Sequence, residues 1–176
     1  MDKKQLKQLF KAAISGDWAT PKAMREETKQ KQWFEAAAIG DAEKLKELTR
    51  AGYDMEAKDE LERTALMYAA GKGHDECVRV LIESGCNVNA KTPGGLTALM
   101  WAAGNGHDVC VGELIRAGGD LDAKDEAGQT AAIWAAACKQ PGCLLMLQAA
   151  AAAVEECALK ASVDRPPPSA RKAIRI

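Results

Sequence analysis

An all-α solenoid of helix–turn–helix units, with extended finger loops between units and a helical N-terminal cap, is the fold this sequence predicts. Three observations predict it: a segment that recurs at a fixed interval, apolar residues at helical spacing within each recurrence, and glycines at matching places where helices must stop. Thr64-Ala-Leu-Met-Tyr-Ala-Ala70 returns as Thr97-Ala-Leu-Met-Trp-Ala-Ala103 and as Thr130-Ala-Ala-Ile-Trp-Ala-Ala136, each 33 residues after the last. One step back, Trp33-Phe34-Glu35-Ala36-Ala37 falls in register as a divergent first copy. Gly73-His74 matches Gly106-His107, Leu81-Ile82 matches Leu114-Ile115, and Gly85 matches Gly52 and Gly118. Met55, Val88 and Leu121 share one column.

Each unit reads as helix, tight turn, helix, extended loop. Thr64, Thr97 and Thr130 stand at N-cap positions, where a hydroxyl accepts from a free backbone N–H of the first turn. The Ala pairs at 69/70, 102/103 and 135/136 keep the first helices thin, so that neighbours approach closely. Gly73 and Gly106 break the first helix, apolar residues at helical spacing face the second inward, and Gly85 and Gly118 end it. A stretch such as Asn87-Val-Asn-Ala-Lys91 leads to the next finger. One such unit cannot bury its own apolar face, so stability has to come from stacking.

The period, the capping Thr, the Ala pair, the Gly-His turn and the terminal Gly together resemble the ankyrin-repeat family over about residues 31–154. The expected units are a degenerate 31–57, then 58–90, 91–123 and a capping repeat at 124–160. The family's Pro is replaced by Ala65, Ala98 and Ala131, and its His by Met67, Met100 and Ile133, which removes one side-chain bonding option between repeats. The finger Gly is kept at Gly95 and Gly128 and replaced by Glu62.

Residues 1–30 read as a helical cap or half-repeat. Leu6, Leu9, Phe10, Ala13 and Ile14 form one apolar helical stripe, and Phe10–Asp17 echoes Phe34–Asp41. Thr20-Pro21 starts a helix expected over about 21–39. Such an extension shields the first repeat; a docking or dimerisation helix is the other reading. At the far end Ala151 replaces the terminal Gly and Gln148 an Ile, Pro141 takes a first-turn place, and the last helix is expected from about Pro141 to Lys160. Residues 161–176 read as a disordered tail whose prolines and basic residues would also serve a short linear motif.

Composition narrows the function. With 24 basic and 25 acidic residues the formal charge is -1, so the cationic field that nucleic acid or an anionic membrane requires is not expected. No apolar run is long enough to span a bilayer. The charged start carries no signal-peptide core, so cytoplasmic residence is expected, although export without a cleavable signal would leave the same sequence. No cofactor and no small-molecule substrate is expected.

Cys77, Cys110 and Cys143 repeat at the unit interval, one residue before Val78, Val111 and Leu144. Neighbouring helices lie roughly 8–10 Å apart, whereas zinc needs its sulfurs about 2.3 Å from one ion. The column therefore reads as buried thiols in the core, and no metal site is expected. Cys138 aligns with Lys72 and Asn105 near the open edge, but a thiol nucleophile needs a His beside it. The only two are His74 and His107, both in the family's Gly-His turn. No enzymatic activity is expected.

Tyr68, Trp101 and Trp134 share the position before each Ala pair, and Glu35 holds it in the first unit. By the resemblance this position faces a concave groove where partners bind. Three rings one unit apart span about 16–20 Å, some five or six residues of extended peptide at about 3.3 Å each. The rings either anchor a partner or fill the groove floor; the sequence is compatible with both. Flanking candidates are Glu60, Leu61, Arg63, Pro93, Gly94, Leu96, Glu126, Ala127 and Gln129 on the fingers, and Lys72 and Asn105 on the helices. The expected function is a protein–protein interaction module, an adaptor or regulatory subunit that binds a protein or peptide as a monomer. A self-associating structural protein using its terminal helices is the alternative, and a Cys138-dependent enzyme a more distant one. The resemblance further implies that Asn89 matches a position hydroxylated in some ankyrin repeats.

Overall fold

Four helical hairpins stack side by side, as the 33-residue period requires. The computed structural model describes the backbone of residues 22–163 and the side chains of residues 30–156 and Lys160. Most of the predicted N-terminal cap and the tail after Val163 lie outside the described residues. The hairpins are α1 (Lys22–Ile39) with α2 (Ala42–Arg50), α3 (Ala65–Lys72) with α4 (Asp75–Glu83), α5 (Ala98–Asn105) with α6 (Asp108–Arg116), and α7 (Ala131–Ala137) with α8 (Pro141–Val163). Helices α1, α3, α5 and α7 pack in succession as one row, and α2, α4, α6 and α8 as a second. This is an all-α repeat solenoid. Helix α1 is already helical at Lys22, the first described residue, and ends at Ile39 as predicted, and α8 runs three residues past Lys160. No helix among the described residues is long and apolar enough to cross a membrane.

The caps follow the sequence with one correction. The hydroxyls of Thr64 and Thr97 accept from the N–H groups of Met67 (3.4 Å) and Met100 (3.3 Å). Thr130 has the same extended backbone but makes no cap bond. Thr64 and Thr97 are buried, so their hydroxyls have only the helix to bond; Thr130 is half-buried and within reach of water.

The core is columnar. Leu48, Leu81, Leu114 and Leu147 are one buried column, and Cys77, Cys110 and Cys143 another. Met67 and Met100 are buried apolar residues where the family has its His. In the last unit the pattern opens. Ile133 is 48% exposed where Met67 and Met100 are 3% and 1%, and Ala136 is exposed where Ala70 and Ala103 are fully buried. Nothing among the described residues packs over that face.

Two side chains stand in left-handed backbone where sister units use glycine. Glu62 (φ 55) takes the place of Gly95 and Gly128, and Lys139 (φ 58) that of Gly73 and Gly106. An L-residue pays about 1–2 kcal/mol there, and glycine's extra entropy returns roughly half of that gain. Glu62→Gly and Lys139→Gly should each raise stability by about 0.5–1 kcal/mol, read as a higher urea midpoint at unchanged slope. A lower midpoint for both would contradict the strain.

Candidate partner-binding groove

Helices α3, α5 and α7 each present one ring at the residue before the Ala pair, and Tyr68, Trp101 and Trp134 are all half-buried. Each Trp lies against a glycine of the first helix of the preceding unit, Trp101 against Gly71 on α3 and Trp134 against Gly104 on α5. A Cβ built on Gly71 would sit 3.7 Å from Trp101 Cε3, and one on Gly104 3.2 Å from Trp134 Cε3. At Gly104 the approach is tighter than a side chain would ordinarily allow, so the missing side chain there lets the Trp134 indole lie down, whereas at Gly71 a methyl would meet Trp101 at ordinary contact distance. Phe34 on α1 meets the Tyr68 ring at a centroid distance of 5.8 Å, tilted by 47°. The row therefore runs Phe34, Tyr68, Trp101, Trp134, while Glu35, in the ring column, is exposed.

The fingers hold two of the rings by aspartates. Tyr68 Oη donates to Asp59 Oδ2 at 2.8 Å, and Arg63 Nε donates to the same oxygen at 2.8 Å. Arg63 also lies over the Tyr68 ring, 4.7 Å from its centroid. Asp59 Oδ1 takes the N–H groups of Leu61 and Arg63 and so closes the finger turn. Burial by itself would raise the Asp59 carboxyl, but the bonds from Arg63, from its backbone N–H and from Tyr68 outweigh it and hold the pKa below the ordinary value. Burial first, then the Asp59 carboxylate, push the Tyr68 hydroxyl up, so it remains a donor.

One unit pair along, Trp134 Nε1 donates to Asp125 Oδ2 at 2.9 Å. The Gln129 backbone N–H, against the opposing effect of burial and with help from Trp134, holds the Asp125 carboxyl low. The middle unit differs. Thr92 occupies the aspartate column, its Oγ1 accepts from Leu96 N at 3.2 Å, and the buried Nε1 of Trp101 has no partner. The fingers are also unequally joined. Glu126 N donates to Gly94 O at 3.0 Å, whereas Pro93, at the equivalent place one unit earlier, has no N–H to give.

Two shallow cavities lie between the rings. One, of about 260 Å³, sits between Tyr68 and Trp101 and is lined also by Arg63, Lys72, Gly71 and Asn105. The other, of about 140 Å³, sits between Trp101 and Trp134 over Leu96, Met100 and Gly104, with Cys138 and Asn105 at its border. Both fall below the roughly 300–1,000 Å³ of a typical small-molecule site; they have room for single side chains. Of the flanking candidates, Arg63, Lys72, Leu96 and Asn105 line these cavities. Glu60, Leu61, Glu126 and Gln129 line neither, and Leu61 is 61% exposed on its finger. Sequence reasoning missed Phe34, the glycines at 71 and 104, and the aspartate tethers; the 33-residue spacing of Gly71 and Gly104 was the available signal.

The remaining chemistry-bearing residues serve the stack. Cys77 and Cys110 are buried, and burial raises each thiol to about 11. Cys143 donates to Asp108 Oδ1 at 2.8 Å, and burial followed by that carboxylate pushes it up to about 12. Cys138 is exposed. His74 Nε2 donates to Ala38 O at 3.0 Å and His107 Nε2 to Gly71 O at 3.2 Å, so each imidazole binds a carbonyl of the preceding unit. No group of His, Cys, Asp or Glu among the described residues is arranged to hold a metal.

No curated protein matches the chain. A family model describing ankyrin repeats, in three copies, matches residues 33–125 and 84–156. That span is well over half of the chain and takes in α2 to α7 whole with parts of α1 and α8, and the chain belongs to the ankyrin-repeat family.

Proposed function

We propose that the chain is an adaptor or regulatory subunit that holds an extended stretch of a partner protein along the ring-lined groove. Ankyrin repeats are generally protein–protein interaction modules. The observation that carries the groove reading is the row of half-buried rings alternating with two side-chain-sized cavities. Half-burial reconciles the two roles open to these rings. The two indoles lie against Gly71 and Gly104 and Tyr68 against Phe34, while each ring stays partly exposed, and Trp and Tyr so placed are the residues that dominate interface energetics. The thiols, none of them bonded to another cysteine among the described residues, suit a reducing compartment, and cytoplasmic residence is part of the proposal.

Affinity purification with the full chain tests it. A partner captured by the wild type should be lost with Tyr68→Ala/Trp101→Ala/Trp134→Ala, since each ring contributes about 2 kcal/mol or more at a hot spot. A partner retained equally by both moves the binding site off the groove. Self-association is the second reading, and the uncovered last unit favours it, because Ile133, Leu145 and Val154 in that unit are 48%, 66% and 62% exposed. Light scattering of the same samples separates the two: a mass that doubles with concentration supports self-association, and a constant monomer mass supports the groove.

A further inference from the structure

We infer that the groove reads a two-residue code in its partner: one acidic side chain and, three residues away, one aliphatic side chain, on a segment in polyproline II conformation. This rests on the groove reading above and specifies its ligand.

The two cavities differ in chemistry. The one between Tyr68 and Trp101 is edged by the cations Arg63 and Lys72, while the Asn105 amide, also in its lining, donates to Trp101 O at 2.8 Å. Arg63 is already matched by Asp59 at 2.7 Å, whereas Lys72 is exposed and makes no ion pair with any described residue. The net unmatched charge at that cavity is therefore a single positive one, which a carboxylate complements. The cavity between Trp101 and Trp134 is walled by Leu96, Met100 and the two indoles, which suits an aliphatic side chain or a prolyl ring. Glu60 and Glu126, exposed on the flanking fingers, oppose any further acid, so the code holds one carboxylate rather than an acidic run.

Spacing sets the conformation. The cavities share Trp101 and Asn105 and so lie one unit apart, about 8–10 Å for packed helices. In a β-strand, side chains on one face recur at about 6.7 Å or 13 Å, and neither fits. In polyproline II the same face recurs every third residue, at about 9.3 Å, which does fit. Aromatic-lined grooves are also what this conformer docks into, because little entropy is lost on binding.

The test is selection of random displayed peptides on the full chain, followed by fluorescence anisotropy with a labelled proline-rich peptide carrying one Glu and, three residues on, one Leu. The expected consensus has Asp or Glu and an aliphatic residue three positions apart. Lys72→Glu should weaken the labelled peptide about tenfold at low salt and shift selection at the acidic position to Lys or Arg. Trp134→Ala should erase the aliphatic preference and leave the acidic one. A consensus without the acid, a different spacing, or selection unchanged by Lys72→Glu overturns the code. Peptides lost on the triple ring variant but lacking the acid–aliphatic pair overturn the code alone. Peptides that bind that variant as well as wild type, or a failure to select any, overturn the groove reading with it.

Discussion

Gly73→Ala is expected to destabilise the chain by about 3 kcal/mol, whereas Gly85→Ala, at nearly the same backbone angle, should cost about 1. Both glycines are left-handed, φ 77 and φ 86, so both substitutions meet the roughly 1–2 kcal/mol of an L-residue there. They differ in what the new methyl touches. At Gly85 nothing lies within 4 Å. At Gly73 the Cβ would come 2.5 Å from His107 Nδ1 and 2.7 Å from Cε1. The ring cannot yield freely, because its Nε2 is bonded to Gly71 O. Displacing it loses that bond, about 1 kcal/mol, and adds overpacking of about 1–3 kcal/mol. A solenoid is coupled through nearest neighbours, so the damage should concentrate at the junction between units 58–90 and 91–123. Urea unfolding of Gly73→Ala should show a lower midpoint and a shallower slope as the halves uncouple; Gly85→Ala should lower the midpoint only. Equal costs for the two would mean that the imidazole does not couple the units.

What recurs in the sequence was legible, and what departs from recurrence was legible only in part. The helix limits, the glycine stops and the cysteine core column all follow from comparing one unit with the next, because stacking gives equivalent residues equivalent surroundings. The target of the Gly-His imidazole was not visible. His107 bonds a carbonyl 36 residues back, a contact that exists only once two units are in place. Asp59 and Asp125 likewise reach their rings only because the finger turns back over nine residues. Glu62 was recognised as a replaced glycine, but the left-handed angle that makes it costly belongs to the turn. Thr130 carries the cap sequence without the cap bond, since burial, not residue type, decides whether a hydroxyl must find the helix. In the groove, the three rings and four of the flanking residues that line it were named from their repeat positions together with the family resemblance. Phe34 was missed because it stands one position off the ring column.

The second large effect belongs to Asp59. Removing its carboxylate by Asp59→Ala strips the acceptor from Tyr68 Oη, from the Arg63 side chain, and from the N–H groups of Leu61 and Arg63. Bonds to a charged group are worth about 1.5–3 kcal/mol each when buried; at a partly exposed finger the set should be worth about 2 kcal/mol. Because the folded carboxyl titrates below its ordinary value, this contribution is fully present above the unfolded pKa, near 3.9, and is lost as pH falls through the lower folded value. The gap in stability between wild type and Asp59→Asn should therefore be constant from neutral pH down to about pH 5 and close in stronger acid. A gap that widens on acidification would refute the tether. Thr92→Asp is the reverse experiment, since it places a carboxylate in the same column beside the unpartnered Nε1 of Trp101. With Trp134 and Asp125 as the template at 2.9 Å, it should add about 1 kcal/mol at neutral pH. That gain should vanish in the Thr92→Asp/Trp101→Phe double variant, because Phe has no N–H to donate; a gain that survives there would belong to the turn and not to the indole.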